Sequence, residues 1–514
     1  RAPAPPPGRP VEGPIGRVRG GRLAPVSPGR RAPPGGGGIG RLLPGGGGIG
    51  RPLGAVRTTG ALGATGAAAA GAGCATGAAG AGCATGAAGV AGAGCATGAV
   101  RAIGAGDLIG LAEEITGACA TAGFGASTTS AVGVTDFEGI VAAIRTHHIE
   151  LVIVGPEEPL VRGIRNFIES QADLQHVGIV GPGSDGAQLE GSKDFSKNFM
   201  HRYGIPTAAS KTFTKETIQD GLLYLEEQSL PIVLKADRLA AGKGVIIAQS
   251  LQEAKQALEE MLLDSKFGAA SEKVVIEQFL RGIELSVFVL TDGENYVVLP
   301  EAKDYKRIGD NDEGLNTGGM GAVSPVPFAT AKFMELVRTK VIDPTLHGLH
   351  AEKIKYQGFI FIGLMNHEGE PYVIEYNARM GDPETEVVLP RIESDFLSLL
   401  IASSNGTLSE QNLQISSQYA VTTMVVAEGY PETYRKGDVI SNLEKIEDAL
   451  IFHAGTQEKG GEIVTSGGRV MAFTGTSNTL ENAIQKSQKA AITAKYEGKN
   501  FRRDIGLDVL RFKN

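Results

Sequence analysis

The chain has 514 residues, 42% of them hydrophobic and 21% charged, with a formal net charge of −8. That length allows several domains with cores of their own, and the acidic balance argues against a nucleic-acid partner. No apolar run approaches the roughly 20 residues of a membrane span, and the Pro/Arg-rich start has no apolar signal region, so the expected setting is the cytoplasm.

Residues 1–60 hold ten Arg and one Glu among many Pro and Gly, and the first lysine of the chain is Lys193. Such a segment cannot bury enough apolar surface to order itself. Residues 1–100 are therefore set apart as low-complexity sequence. "GGGGIG" at 35–40 and again at 45–50 fits the dinucleotide fingerprint formally. "RRAPP" stands before the first copy where a strand is needed, and no amphipathic helix follows. Residues 63–89 use only Ala, Cys, Gly and Thr, with "GCATGA" at 73, 82 and 94. These are also the four letters of DNA. The stretch reads as nucleotide text, or as a segment with no natural origin, more readily than as an Ala/Gly repeat. Cys74, Cys83, Cys95 and Cys119 are the only cysteines and have no CxxC spacing, so they suggest neither a metal site nor a disulfide framework. A chain otherwise free of cysteine fits a reducing compartment.

From about residue 132 the elements follow in order. "TDFEGIVAAIRTHHI" (135–149) has helical periodicity. "ELVIVGPEEPLV" (150–161) reads as a buried strand entering a Gly-Pro turn, and "HVGIVGP" (176–182) as a second strand. Strand, helix, strand implies a parallel sheet with functional loops at the strand ends. "LEGSKDFSKNFMHRYGIP" (189–206) reads as one amphipathic helix stopped by Gly204 and Pro206. "PIVL" (231–234) and "VIIA" (245–248) are strands around a glycine-bearing loop tipped by Lys243. "KVVIEQFLRGIELSVFVL" (273–290) offers two strands about a glycine. Residues 297–325 read as a long polar loop, and "YQGFIFIGLM" (356–365) and "PYVIEYNARMGDPETE" (371–386) close this part of the chain.

Several of these pieces ask for one ligand. Glycine lets a backbone close on phosphate, and Lys243 brings a mobile charge, although neither the Ser/Thr nor the helix of a P-loop follows. Lys193, Lys235 and Lys243 together neutralise a polyphosphate. Glu375 and Asn377, two apart on a strand, share a face and offer hard oxygens suited to Mg²⁺ beside a phosphate. Glu277 and Glu284 flank an apolar hinge, where one can meet an adenine amino group and the other a ribose hydroxyl. Each piece alone also admits a plain reading: a hairpin with a solvated lysine, a charged strand end, a turn between edge strands. Together they describe an ATP–Mg²⁺ site between two sheets.

The order "KADRLAAGKGV", "IEQFLRGIELS", "KDYKRIGDNDEGLNTGGMGAVSP" and "VIEYNARMGDPETE" resembles the ATP-grasp ligases. Within them it is most similar to the glycinamide ribonucleotide synthetase family of purine biosynthesis. "VGPEEPLV", "LEGSKDFSKNFM", "FHAGTQEKGGEIVTSGGRVMAFTG" and "YEGKNFRRDIG" extend the similarity over residues 132–514. The resemblance implies an α/β, multidomain ATP-grasp fold. It would comprise a Rossmann-like amino domain (101–190), an ATP-grasp core (191–420) with a lid at about 205–270, and a small carboxy-terminal domain (421–514). It implies ATP with Mg²⁺ or Mn²⁺, glycine and 5-phosphoribosylamine as small-molecule substrates, and a monomer with no nucleic-acid or membrane partner. Lys193, Lys235 and Lys243, with Gly242 and Gly244 beside it, would meet the ATP phosphates. Glu277 and the hinge of Gln278, Phe279 and Leu280 would hold adenine, and Glu284 the ribose. Glu375 and Asn377 would bind the metal. Asp304, Lys306, Arg307, Asn316, Thr317, Gly318, Arg379, Asp382 and Glu384 would line the glycine and acyl-phosphate region. Lys243, Lys306, Arg307 and Arg379 would act on the reacting groups.

Two departures stand out. The family has Gly where this chain has Arg238, and Arg does not readily take a glycine-only backbone conformation. The family also begins with a strand and a loop containing Arg-Glu-His, and no such motif occurs before residue 130. The ATP half is thus expected to be intact and the amine-substrate half incomplete. Two rival readings remain: a related carboxylate–amine ligase, and a nucleotide-binding pseudoenzyme with a decayed amino domain. The "NTGGMGA" and "GDPETE" pair counts against the first. The full set of Lys, Glu and Asn counts against the second.

Overall fold

The structure, a computed structural model, describes residues 100–103, 109–110, 129–130, 132–239, 244–264 and 266–512. The readings of residues 1–99, the DNA-letter stretch among them, and of Gly242 and Lys243 lie outside the described residues. Among the described residues no helix is long and apolar enough to cross a membrane.

The amino-terminal sheet has five strands in the order Thr129–Ser130, Ile109–Gly110, Val100–Ile103, Leu151–Val154, Gly178–Val180. The last three are parallel, as strand–helix–strand order requires, while the two short strands join antiparallel. Asp136 caps the intervening helix Phe137–Thr146 by accepting from the Gly139 N–H at 3.0 Å. Ile140, Val141 and Ile144 face the core at helical spacing. Beyond Leu151–Val154 the sequence reading needs correction. "GPEEPLV" does not end in a turn but in the helix Glu157–Val161, with acids in its first turn. The stretch 189–206 is likewise two helices, Gln188–Gly191 and Lys193–Arg202. Ser192 breaks them with an extended backbone (φ −140°) and caps the second by accepting from the Phe195 N–H at 3.1 Å. This break puts Lys193 at the first helical position and Lys197 one turn on, over the same face.

The region expected to form a lid is a four-stranded antiparallel sheet, ordered Ser210–Thr214, Lys273–Gln278, Ile232–Ala236, Val245–Ala248. Helices Ile218–Glu226 and Leu251–Leu262 cover it, closing a core of Phe213, Leu225, Leu234, Leu258 and Met261. The strand Ile232–Ala236 is buried at every position, Lys235 included.

A second, eight-stranded antiparallel sheet runs Glu370–Asn377, Gly358–His367, Ile283–Thr291, Tyr296–Asp304, Gly321–Ser324, Tyr419–Val426, Arg469–Ser477, Leu450–His453. It crosses residue 420 without a break, because Gly321–Ser324 pairs with Tyr419–Val426. The polar stretch 297–325 is therefore mostly β-structure: the strands Tyr296–Asp304 and Gly321–Ser324, and between them a hairpin of Arg307–Gly309 and Glu313–Asn316. Glycine and charge hid it, since neither marks strands by composition. The lid strand Lys273–Gln278 passes into the central strand Ile283–Thr291 at Gly282, where a Cβ would stand 2.2 Å from the Asn366 carbonyl oxygen. Only glycine lets the hinge backbone lie that close to the sheet.

Candidate active site

The two sheets face each other across a line of charge. On the lid side, Lys235 Nζ and Lys197 Nζ stand 3.0 and 3.1 Å from the same oxygen of Glu277, Oε2. All three side chains are buried. Glu277 Oε1 has no hydrogen-bond partner among the described residues. Burial by itself raises the Glu277 carboxyl, but Lys235 and Lys197 overcome it and hold the group below its ordinary value. Lys197 is the converse. Burial pushes its ammonium down to about 8, and Glu277 opposes without prevailing. Lys193 Nζ reaches the carbonyls of Asp237 (3.5 Å) and Arg238 (3.4 Å), at the start of the glycine loop. Burial lowers its pKa too, against Glu375. Asp237 fastens that loop to the helix, accepting from Ser192 Oγ (2.9 Å) and the Asp194 N–H (2.8 Å). Arg238 points outward, pairs with Glu272 at 2.7 Å, and is absent from the residues with positive φ. The side chain in place of glycine therefore strains nothing there.

The central sheet supplies the acids. Lys306 Nζ pairs with Glu284 at 2.7 Å and approaches Asp304 at 3.8 Å. Burial pulls this ammonium down, but Asp304, Glu284 and Glu375 outweigh it and hold it well above its ordinary value. Glu384, buried and bonded to Ser286 Oγ at 3.1 Å, is lifted to about 7 by burial and by Asp304. Arg379 lies between Glu190 (3.1 Å) and Glu157 (3.7 Å), and the Ala378 N–H donates to Glu190 at 2.7 Å. Burial lifts Glu190 to about 7 against the pull of Arg379.

Glu375 stands in the fields of Lys193, Lys306 and Arg379. The pairing of its strand with Gly358–His367 skips Ile374, a bulge whose carbonyl accepts from Lys235 Nζ at 3.2 Å. Beyond the bulge, Glu375 and Asn377 lie on one face. Neither oxygen of Glu375 has a hydrogen-bond or ion-pair partner among the described residues. No group of three or more His, Cys, Asp or Glu is placed to hold a metal among them either. Two oxygen donors on one strand face, in the field of Lys193 and Lys306, fit Mg²⁺ shared with substrate phosphates, not an all-protein cage.

Not every expected residue joins this centre. Gln278, Phe279 and Leu280 line a cleft of about 250 Å³ with Pro231, His367 and Tyr372. Arg307 lines an adjoining one of about 530 Å³ with Phe279 and Arg281, and donates to the Gly314 carbonyl of its own hairpin at 2.7 Å. Asn316 is exposed on the opposite strand of that hairpin. Asp382 and Gly318 instead meet at Arg469. Gly244 is described and its carbonyl accepts from the Ala236 N–H at 2.8 Å.

Models of the phosphoribosylglycinamide synthetase family match three consecutive blocks: the N domain over 110–190, the ATP-grasp (A) domain over 191–385 and the C domain over 420–508. A phosphoribosylamine–glycine ligase of Pasteurella multocida is 46% identical over 387 residues, covering 75% of this chain and 89% of the relative. The chain belongs to the phosphoribosylglycinamide synthetase family. The crystal structure of a phosphoribosylamine–glycine ligase from Thermotoga maritima matches with a TM-score of 0.64 at 36% identity, over 74% of this chain and 90% of that one. A biotin carboxylase from Campylobacter jejuni, at 16% identity and TM-score 0.55 over 73% of this chain and 81% of its own, shares the ATP-grasp fold alone.

Within this member of the phosphoribosylglycinamide synthetase family, sequence reasoning passed over several residues that the geometry brings to the site. Lys197 is one helical turn from Lys193 in "SKDFSK", a signal legible once the helix is started at Ser192. Glu190 and Glu157 brace Arg379, and nothing in their local sequence points there. Arg502, 1% exposed, pairs with Asp312 at 2.6 Å and Asp504 at 2.7 Å, tying the 307–316 hairpin to the carboxy-terminal part of the chain. The Asp504 and Asp310 carboxylates add to that tie, accepting from the Asn311 and Arg503 N–H groups at 2.8 Å each.

Proposed function

We propose that the chain ligates glycine to 5-phosphoribosylamine at the expense of ATP, by way of glycyl phosphate, giving glycinamide ribonucleotide, ADP and phosphate. The observation that carries this reading is the meeting of a lysine pocket with the Glu375–Asn377 strand end, in a chain of the phosphoribosylglycinamide synthetase family. Lys193, Lys197 and Lys235 neutralise the phosphates, with Lys243 on the loop that follows Lys235. The hinge backbone at Gln278–Leu280 holds adenine, and Glu277 Oε1, a buried acceptor without a donor, suits an exocyclic amine. Leaving such an atom unpaired costs about 1–3 kcal/mol, which a ligand donor recovers. Glu284 serves the ribose. Glu375 and Asn377 would hold Mg²⁺ or Mn²⁺, which would supply positive charge to offset that of the phosphates.

A carboxylate is a poor electrophile. A glycine carboxylate oxygen therefore first bonds to the γ-phosphorus of ATP while the bond from phosphorus to the ADP oxygen breaks. Lys306 and Arg379 steady the charge on the phosphoryl group and the carboxylate, and no protein nucleophile is needed. The amine nitrogen of phosphoribosylamine then bonds to the acyl carbon, phosphate leaves, and the amine gives up a proton. The closed lid keeps water from the mixed anhydride. On the same reading the enzyme acts as a monomer in the cytoplasm, a reducing compartment that fits the lack of cysteine beyond Cys119.

The test is glycine-dependent ADP release with Mg²⁺, and capture of glycyl phosphate as a hydroxamate with hydroxylamine. Glycinamide ribonucleotide should form when phosphoribosylamine is supplied. Hydroxamate with another acid but none with glycine would favour a related carboxylate–amine ligase. ATP binding with no glycine-dependent ADP would leave only a pseudoenzyme.

A further inference from the structure

One side chain carries the carboxy-terminal part of the chain into the site. Arg469, at the start of the strand Arg469–Ser477, donates through Nη1 to the Gly318 carbonyl (2.8 Å), the Asp382 carbonyl (3.0 Å) and Asp382 Oδ1 (2.9 Å). Its Nη2 donates to Asp382 Oδ2 at 2.7 Å. The Asp382 carboxylate is thus gripped fork to fork, the geometry a planar guanidinium provides and an ammonium does not. Gly318 is shaped for this contact, since a Cβ there would stand 3.1 Å from Arg469 Cζ. Gly319, at φ +117°, would place a Cβ 2.3 Å from Pro383 Cδ. Tyr430 Oη accepts from the Gly318 N–H at 3.0 Å. The turn 317–320 and the turn 381–384 are therefore pressed together and pinned from one side.

The pinned turn leads into the charged centre. Thr317 donates twice to the Lys306 carbonyl, through its N–H (2.7 Å) and its Oγ1 (2.8 Å). Lys306 in turn pairs with Glu284. On the other turn, Glu384 is in the field of Asp304 and Lys306. The path from Arg469 thus reaches Lys306 from both sides and does not touch the lysines of the lid. Its own contribution to stability is small, since Asp382 is 43% and Arg469 20% exposed and ion pairs open to solvent contribute little.

We propose that Arg469 is a positioning residue that holds Lys306 and the Asp382–Glu384 turn in the geometry the amino-acid substrate requires, and that it leaves nucleotide affinity untouched. This rests on the ligase reading above. Displacement of positioned groups by about 1 Å costs up to about 100-fold, so Arg469→Met should raise KM for glycine at least about tenfold. KM for ATP, the Kd for ATP without glycine, and the melting temperature should stay near wild type. Arg469→Lys, which keeps the charge and loses the fork, should resemble Arg469→Met. Tyr430→Phe should shift KM for glycine in the same direction by less. An unchanged KM for glycine, or equal rises for glycine and ATP, overturns the proposal. Should Arg469→Met fail to fold, Arg469→Lys and Tyr430→Phe decide by the same split. If wild-type protein shows no glycine-dependent ADP release, the ligase reading fails and this one falls with it. If wild type is active and the KM values do not split, only the positioning role is wrong.

Discussion

Lys197 and Lys306 are driven in opposite directions within one site. Both lose hydration, and that loss is the largest influence on each. Lys197 shares the single carboxylate of Glu277 with Lys235 and falls to about 8. Lys306 faces Asp304, Glu284 and Glu375 and rises well above its ordinary value. Lys306 keeps about half of its side chain exposed and faces three carboxylates, whereas Lys197 is buried and shares one, so exposure and the number of carboxylates together set the sign. The lid side is left with cations in excess and the central-sheet side with anions in excess. On the proposed reading, each imbalance suits a ligand of the opposite charge: polyphosphate on one side, a divalent cation and an amine on the other.

The largest effect should come from the acid side. Glu375→Gln keeps the shape and removes one charge, so ATP turnover should fall on the order of 10³-fold with an unchanged circular dichroism spectrum. Near-wild-type turnover at ordinary Mg²⁺ would take Glu375 off the metal. The next effect should come from the lysine side. Lys235→Met leaves Glu277 still paired with Lys197, so stability should fall by less than about 3 kcal/mol, the cost of a fully broken buried pair, while the affinity for ATP should fall. Adding Glu277→Leu leaves the buried Lys197 without its carboxylate, so the urea midpoint should fall further and the affinity for ATP should not return. If Lys235→Met alone binds ATP as wild type does, Lys235 has no role in nucleotide binding.

Smaller effects belong to titration. Burial lifts Glu190 to about 7, so the folded protein binds more protons than the unfolded chain between the ordinary glutamate range and that value. Stability should therefore fall as pH rises through that window. Glu190→Gln should flatten urea midpoints measured from pH 5 to 8, and an unchanged slope would show that Glu190 ionises normally. Lys197 has the opposite sign. Its folded pKa of about 8 lies below that of a free lysine, so the unfolded chain binds more protons above pH 8, and this contribution should rise with pH. Lys197→Met should remove that rise. The smallest effect is expected at Arg238. Its pair with Glu272 is open to solvent on both sides, so Arg238→Gly should move the melting temperature by less than about 1 °C. A larger change would mean that the loop start depends on this side chain.

Local pattern was enough for the residues whose role follows from a strand end or a loop. Glu375 and Asn377 were legible because alternation along a strand reports its faces, and Lys235 because it stands where an apolar strand meets a glycine loop. Lys193 was legible as one of three cations suited to a polyphosphate, but the break at Ser192 that makes it the first residue of a helix was not. Residues 297–325 were misjudged as a loop because their strands are specified by pairing partners, such as Tyr419–Val426 for Gly321–Ser324, and not by their own composition.

What the amino-acid sequence determined by itself was the family, the order of the domains, and the chemical types gathered for ATP and a divalent cation. The tertiary structure alone decided which charges share a partner. Arg469 and Gly318 are 151 positions apart, and Ala378 and Glu190 188 apart. The bulge that turns the Ile374 carbonyl toward Lys235 exists only in the register with Gly358–His367. Periodicity tells which way a side chain faces. Its neighbour across the cleft depends on sheet register and packing, and that neighbour, through the count of opposite charges within reach, sets its pKa and its role.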